Sequence, residues 1–227
     1  MKIAISYSGG KESALALYRA VKQGHEPTAL ITAFNTDASR SHSHGLPEAV
    51  LESVSKSLNI PLWVVKTSGE LYAHNFEQAL KRAKEEGAGA CVFGDIDIEG
   101  HLKWCSERCE NVGIKAMFPL WGEKRKSIVY EMIENGFVAN ITTVNTKYLS
   151  ENFLGQKLTK ELAKRIEAEG ACICGENGEY HTFVSSGPIF KCPIDISFGK
   201  KVRSGDYAML PVKEQFLQFI ASSRTPG

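Results

Sequence analysis

A glycine pair flanked by hydroxyl and charged side chains lies close to the start of the chain. Residues 8–13 read SGGKES and directly follow an apolar stretch at residues 3–7. Adjacent glycines permit a tight turn that brings backbone N–H groups close to an anion. A helix that begins at this turn points the positive end of its dipole at the same place, and Lys11 adds a mobile positive charge. These features predict a phosphate-binding loop, with a turn that binds no ligand as the alternative.

The order of residues in this segment differs from the Walker A form. That form requires G-x-x-x-x-G-K-[ST], with the lysine immediately before serine or threonine, whereas Lys11 follows the glycines directly. The Walker arrangement for γ-phosphoryl transfer is therefore missing.

A second dense motif, GENGEYHTF, occupies residues 175–183. Its two glycines bracket Asn177 and form a tight turn that presents Glu176, Glu179 and His181. Carboxylates beside a nucleotide can hold a magnesium ion, bind an ammonium nucleophile or take its proton. The alternative is a hairpin turn flanked by solvated acidic side chains.

Strand-like and helix-like segments alternate through the first half of the chain. The predicted strands cover residues 2–7, 28–34, 62–66, 90–94 and 114–118. The predicted helices cover residues 12–23, 47–58 and 98–111, with another carrying Phe76, Ala79, Leu80 and Ala83. This alternation predicts an α/β fold, a parallel sheet flanked by helices with right-handed crossovers. Such sheets bind ligands at the carboxyl ends of their strands, where the phosphate loop lies.

The pattern changes after about residue 144. A helix is predicted at residues 158–169, followed by β-like segments at 180–184, 189–198 and 207–212. We therefore expect a Rossmann-like nucleotide-binding domain at residues 1–140. A smaller C-terminal α+β domain, which binds the substrate, is expected at residues 141–227.

Composition and charge exclude several classes of protein. The chain has 227 residues and a formal net charge of +1, which gives no general field for nucleic acid. No apolar run approaches the roughly 18 residues of a membrane span, and the first residues already form a predicted strand instead of a signal peptide. The basic cluster at residues 124–126 is interpreted as solvated turn charges.

Cysteine usage favours a reduced, cytoplasmic protein. There are six cysteines, and Cys172 and Cys174 form a close pair without a second pair at zinc spacing. We interpret all of them as structural thiols, with a metal or redox role for the close pair as the alternative.

Several motifs together resemble the diphthine–ammonia ligase family. These are SGGKES, Gly94-Asp95-Ile96, PLWG at residues 119–122, GENGEYHTF, and Gly187-Pro188. The first motif also resembles the PP-loop of the N-type ATP pyrophosphatases, the superfamily that includes these ligases. The resemblance covers essentially the whole chain and is to the short, archaeal-type form without extra C-terminal domains. Glu12 stands where PP-loops usually carry aspartate, so its carboxylate reaches one methylene further.

The resemblance implies a reaction, its cofactors and its partners. The family amidates diphthine, a modified histidine of translation elongation factor 2. The carboxylate of diphthine attacks the α-phosphorus of ATP, pyrophosphate leaves, and ammonia then displaces AMP. A PP-loop suits this chemistry because it binds the group on which negative charge accumulates. ATP and Mg²⁺ are the implied cofactors, and elongation factor 2 and ammonium are the implied partners. Homodimer formation is left open.

The resemblance also implies roles for individual residues. Those implied to hold the pyrophosphate are Ser8, Gly9, Gly10, Lys11 and Ser13, with Ser6 at the mouth. Those implied to contact adenine or ribose, largely through the backbone, are Ala33, Phe34 and Asn35. Gly94 and Asp95 are implied to close over the nucleotide, and the candidate metal ligands are Glu12 and Asp95. The residues implied to act in catalysis are Lys11, Glu176, Glu179 and His181.

Some of these residues have alternative interpretations. Asp95 could instead cap the helix predicted to begin near Ile98. His42 and His44 lie in the polar loop after the second strand, which we expect to contact the substrate, because His-x-His alone is weak evidence for a metal site. Two other functions remain open for the chain: a PP-loop enzyme that modifies tRNA, and a non-catalytic nucleotide-sensing module.

Overall fold

The computed structural model describes residues 1–36, 38–41, 44–67 and 71–214. The strands are β1 (Lys2–Ser6), β2 (Glu26–Asn35), β3 (Arg40–Ser41), β4 (Leu62–Thr67), β5 (Ala90–Val92), β6 (Lys115–Met117), β7 (Val138–Asn145), β8 (Tyr180–Ser186), β9 (Ile196–Phe198), β10 (Val202–Ser204), β11 (Tyr207–Met209) and β12 (Val212–Glu214). The helices are α1 (Lys11–Lys22), α2 (Glu48–Leu58), α3 (Tyr72–Glu85), α4 (Glu99–Val112), α5 (Arg125–Glu134) and α6 (Lys160–Ala168), with a short 3-10 helix at Glu151–Phe153.

A mostly parallel sheet of six strands forms the centre of the first half. Its order is β3-β2-β1-β5-β6, with β4 on the other edge of β2. β1, β2, β4, β5 and β6 are parallel, whereas β3 runs antiparallel to β2. Because β4 occupies one edge of β2, β3 takes the edge that β1 leaves after Ser6. The predicted parallel sheet with flanking helices is confirmed, and the unpredicted β3 lies just past the end of β1.

Side chains alternate between the two faces of this sheet. Ala4 faces the side covered by α3 and α4, where Phe76 and Leu80 are buried. Its neighbour Ile5 faces the side covered by α1 and α2, where Leu17 is buried. This alternation is the two-residue period of a strand, and it explains why apolar residues run continuously along β1.

A second sheet, antiparallel throughout, has the order β10-β11-β7-β8, and β9 pairs with β12 beside it. Its buried side chains belong to the same hydrophobic cluster as α1. Leu17 and Leu46 of the first half and Ile141 and Phe183 of the second are each fully buried in that cluster. The two halves therefore share one core, and α1 rests on the second sheet.

Three predictions about the second half differ from the structure. Helix α5 was not predicted, because the basic residues at its start were interpreted as a turn. The strand predicted at 189–198 is reduced to β9, and the one predicted at 207–212 is split into β11 and β12. Pro193 and Pro211 interrupt these segments, since proline cannot donate to a strand ladder.

The predicted domain boundary at residue 140 falls inside β7. The division into two domains at that point stays a prediction. Among the described residues, none of the helices has the length and apolarity to cross a bilayer.

Candidate functional site

The loop between β1 and α1 is held in shape by its own hydroxyls. The Ser8 backbone N–H donates to Ser13 Oγ at 3.3 Å, the Gly10 N–H donates to Ser8 Oγ at 3.3 Å, and Ser13 Oγ donates to the Gly10 carbonyl at 3.0 Å. Gly9 has a φ of +86°, and a Cβ there would lie 2.5 Å from the side chain of Leu46. Glycine is therefore required at position 9 both by conformation and by space.

The start of α1 presents backbone donors to this loop. Its N-cap is Gly10, which makes no side-chain cap hydrogen bond. The first N–H groups of a helix lack partners within the helix and carry its positive dipole end. A helix start whose N-cap is a glycine, beside two serine hydroxyls, is suited to binding a phosphate group.

The second half of the chain also holds the loop in place, through two hydrogen bonds. The Val184 N–H donates to the Gly9 carbonyl at 2.9 Å, and the Lys11 N–H donates to Thr182 Oγ1 at 3.2 Å. Both partners belong to β8. The shape of the phosphate loop is therefore determined jointly by the two halves of the molecule.

The prediction that Lys11 supplies a mobile charge is wrong. Its side chain is 4% exposed, its Nζ lies 2.5 Å from Glu12 Oε1, and it stands 4.8 Å above the centre of the Tyr180 ring. Burial alone would lower the pKa of Lys11, but the carboxylates of Glu12 and Glu176 hold it above its usual value. Lys11 is thus a fixed, buried cation between the two halves.

A cavity of about 450 Å³ opens beside the loop. Elements from both halves of the chain line it: the end of β1, the start of α1, the loop after β5, the face of α4 and the acidic turn before β8. The predicted site residues among its lining are Ser6, Ser8, Glu12, Ser13, Gly94, Asp95 and Glu176. The folded chain thus brings together residues more than 150 positions apart in sequence.

Asp95 and Gly94 line the cavity after β5. Asp95 Oδ1 is 3.1 Å from His101 Nδ1, and burial raises the pKa of Asp95 against the opposing effect of that histidine. Helix α4 is capped by Ile98 without a side-chain hydrogen bond, so the interpretation of Asp95 as its N-cap is wrong. A Cβ at Gly94 would lie 2.8 Å from the backbone of Glu12, which explains the glycine at this close approach.

Glu176 is the member of the acidic motif that faces the cavity. Burial, followed by the nearby negative charge of Glu12, raises the pKa of Glu176 to about 7, although Lys11 and Arg125 oppose the shift. A carboxyl group with a pKa near 7 can both accept and release a proton at neutral pH. Glu176 therefore has the properties of a general acid or base.

Glu179, unlike Glu176, is buried beneath the turn and hydrogen-bonded to its backbone. It is 3% exposed, and its carboxylate accepts hydrogen bonds from the backbone N–H groups of Cys172 at 3.0 Å and Asn177 at 2.9 Å. Burial would raise the pKa of Glu179, but these donors hold it below its usual value. The alternative of a hairpin turn flanked by solvated acidic side chains is therefore wrong for Glu179, because its carboxylate organises the turn from inside.

Arg125 is a residue that the sequence interpretation missed. Its guanidinium forks onto Asp97 at 2.7 and 2.9 Å, and its Nη1 also donates to Cys172 Sγ at 3.1 Å and Asn177 Oδ1 at 3.2 Å. It thus joins the loop after β5 to the acidic turn. One arginine among three basic residues carries no sequence signal that distinguishes it from its neighbours.

A histidine pair lies next to the cavity. His44 and His181 meet edge to face, with ring centres 5.0 Å apart. Burial lowers the pKa of both imidazoles, and His44 also lines the 450 Å³ cavity. Asn35 lies in a groove beyond this pair, and His42 lies outside the described residues.

The strand-end residues assigned to adenine are dispersed. Phe34 is 6% exposed and belongs to the core, so only its backbone could reach a ligand. Ala33 lines a crevice of about 40 Å³ that also contains Ser6 and Ser8. The assignment of Ala33, Phe34 and Asn35 to the nucleoside stays a prediction.

Both halves of the chain match domains of the same protein family. The profile of the diphthamide synthase N-terminal domain matches residues 1–116, and that of the diphthamide synthase C-terminal domain matches residues 124–217. The diphthine–ammonia ligase of Danio rerio is 26% identical over 96% of this chain and 94% of its own length. That of Homo sapiens is 24% identical over 97% of this chain and 91% of its own.

A solved structure from Methanocaldococcus jannaschii, described as a predicted subunit of tRNA methyltransferase, aligns over 86% of this chain and 100% of its own. Its TM-score of 0.47 and identity of 18% are too low to bear on the activity of this protein. The two profiles, by contrast, cover both motifs and both sheets. This chain belongs to the diphthamide synthase family.

Proposed function

We propose that this protein is an ATP-dependent ligase that amidates diphthine on translation elongation factor 2, giving diphthamide, AMP and pyrophosphate. Family membership supports the reaction, and one geometric observation carries its assignment to a site. The phosphate loop, through Ser8 and Ser13, and the acidic turn, through Glu176, line the same cavity. Activation by a nucleotide and attack by ammonia would therefore take place side by side.

ATP fits the donors of this cavity. The start of α1, whose N-cap is a glycine, and the hydroxyls of Ser8 and Ser13 are groups that bind phosphate oxygens. These donors are already ordered by their mutual hydrogen bonds, so they need little rearrangement when charge develops on the leaving pyrophosphate. In this role Lys11 holds Glu12 in place and does not itself contact phosphate.

Mg²⁺ fits as a companion of the nucleotide. Glu12 and Asp95 line the cavity, but nowhere in the described part of the chain do three or more histidine, cysteine or acidic side chains come together as a complete metal site. Magnesium in proteins commonly binds one or two carboxylates together with phosphate oxygens and water. When bound, the ion would neutralise part of the phosphate charge.

Glu176 is the residue that we assign to the nucleophile. Ammonia enters the reaction with protons that must be removed as the new C–N bond forms. With a pKa of about 7, the Glu176 carboxylate can take such a proton near neutral pH. Glu179 holds the turn that carries Glu176, and His181 lies beside His44.

We further propose that the reaction takes place in the cytoplasm. All six cysteines are free thiols in the structure, as expected in a reducing compartment. The substrate, a factor of translation, is also found there.

Incubation of the purified protein with diphthine-bearing elongation factor 2, ammonium and ATP tests the proposal. We expect the modified peptide to change mass by the exchange of a carboxyl OH for NH₂, with AMP formed in equal amount. ADP as the main product would contradict the proposal. AMP formation that requires tRNA instead of the factor would favour a tRNA-modifying enzyme, and binding of ATP without turnover would favour a sensing module.

A further inference from the structure

A groove lies next to the nucleotide cavity and is not used by the reaction residues described so far. Two adjacent cavities of about 340 and 180 Å³ share Arg40, His44, Thr143 and Met209 in their lining. We call them together the β7–β11 groove, because Thr143 and Met209, which line both, are paired on those two strands. Arg40, Ser41, His44 and Gly45 line the 340 Å³ part of it as well.

A single side chain separates this groove from the nucleotide cavity. His44 lines both spaces, and a Cβ at Gly10 would lie 2.5 Å from its Cε1, so the imidazole rests directly on the phosphate loop. His181 of β8 supports it from the groove side, with ring centres 5.0 Å apart. A ligand in the groove therefore ends one imidazole away from the phosphate donors.

The other end of the groove is open at the surface. Arg40 is exposed, and Tyr207 at the rim is 38% exposed. Arg40, which lines both cavities, contributes a positive charge, and Met209, Val202 and Val212 contribute apolar surface. This combination is suited to a long aliphatic arm that carries a carboxylate, since the arm can bury its methylenes while the arginine attracts the acid.

We propose that the β7–β11 groove binds the acceptor side chain of the protein substrate and leads its carboxylate to the nucleotide. This inference rests on the proposed function, which requires a carboxylate on an arm projecting from another protein. The exposed rim lets the surface of that protein remain outside while the arm enters. His44 lines both spaces and marks the place where the carboxylate would reach the nucleotide.

Two groove variants test the proposal. Met209→Trp fills the groove, and Arg40→Gln removes a positive charge from its lining. Arg82→Gln is the control, because Arg82 is an exposed residue of α3 that lines neither space. Steady-state amidation is measured with diphthine-bearing elongation factor 2 and ATP varied in turn. We expect each groove variant to raise the KM for the factor by about tenfold, as for a side chain important in an interface, with the KM for ATP unchanged. Arg82→Gln should behave as the wild type.

The outcomes separate this inference from the proposed function. If the wild type amidates the factor and the groove variants have the same KM for the factor as the wild type, the groove assignment is overturned and the proposed function stands. An equal rise in the KM values for ATP and factor would also overturn the groove assignment. A wild-type protein that forms no amide would remove both proposals. If Met209→Trp fails to fold, as judged by thermal unfolding, the surface variant Arg40→Gln decides.

Discussion

The phosphate loop and the acidic turn face one cavity but are built in different ways. In the loop, glycines and hydroxyls form a local structure that is held by its own hydrogen bonds. In the turn, two glutamates three residues apart have opposite environments: Glu176 faces the cavity with a raised pKa, and Glu179 is buried under backbone N–H groups with a lowered one. Within this one acidic motif, Glu176 is placed to take part in chemistry, whereas Glu179 stabilises the turn.

The largest effect expected from this division is on the reaction rate. Glu176→Gln should reduce the amidation rate by about 100-fold or more, because general acid–base groups typically contribute 10²–10⁴-fold. The affinity for ATP should stay close to that of the wild type, since the loop hydroxyls are untouched. Calorimetric titration and product mass measure the two properties. The control is Glu134→Gln, which removes an exposed carboxylate paired with Lys160; a wild-type rate in Glu176→Gln would show that the turn is purely structural.

The second effect is on stability and should fall on the other glutamate. Glu179→Gln should lower the free energy of unfolding by about 2–3 kcal/mol, because it weakens charge-assisted hydrogen bonds to buried N–H groups. Glu176→Gln should change stability much less. Urea denaturation of both variants checks the contrast. Similar unfolding free energies would mean that the two environments do not differ in energy as they do in geometry.

The third prediction concerns the link between the two regions. Arg125→Met should lower kcat by about tenfold through loss of positioning, because the arginine joins Asp97 to the acidic turn. Lys126→Met is a matched control, since Lys126 pairs with Glu167 at the surface. An Asp97→Asn variant completes a double-mutant cycle. Additive effects of Arg125→Met and Asp97→Asn would argue against a shared contact.

The smallest effect expected is a dependence on pH. With un-ionised ammonia held constant, the amidation rate should rise severalfold as pH passes through about 7, because Glu176 must lose its proton to act as a base. Glu176→Gln should lack this rise. Because the pKa of Glu176 is raised on folding, the folded protein binds this proton more tightly than the unfolded chain does. The bound proton therefore stabilises the fold fully below the ordinary pKa of 4.5, and this stabilisation is lost as pH rises toward 7. A wild-type profile flat across this range would contradict the assignment.

Local patterns predicted a large part of the fold and one part of the site. The apolar strands, the periodic helices and the glycine pair of the phosphate loop depend on neighbours in sequence, so their positions were predicted to within a few residues. The two-residue strand β3 and helix α5 lacked such signals. Arg125 looked like its basic neighbours, and only its contacts with Asp97 and Asn177 distinguish it.

The sequence by itself determined that this chain has a parallel α/β sheet, a phosphate loop after its first strand and an acidic turn before β8. These properties follow from hydrophobic period and turn chemistry, which act over a few residues. The tertiary structure decided that Lys11 is buried and that Glu176, not Glu179, faces the cavity. It also decided that β8 fastens the phosphate loop. Burial and pKa depend on which distant side chains share the same space, and only the packed core brings these two segments together.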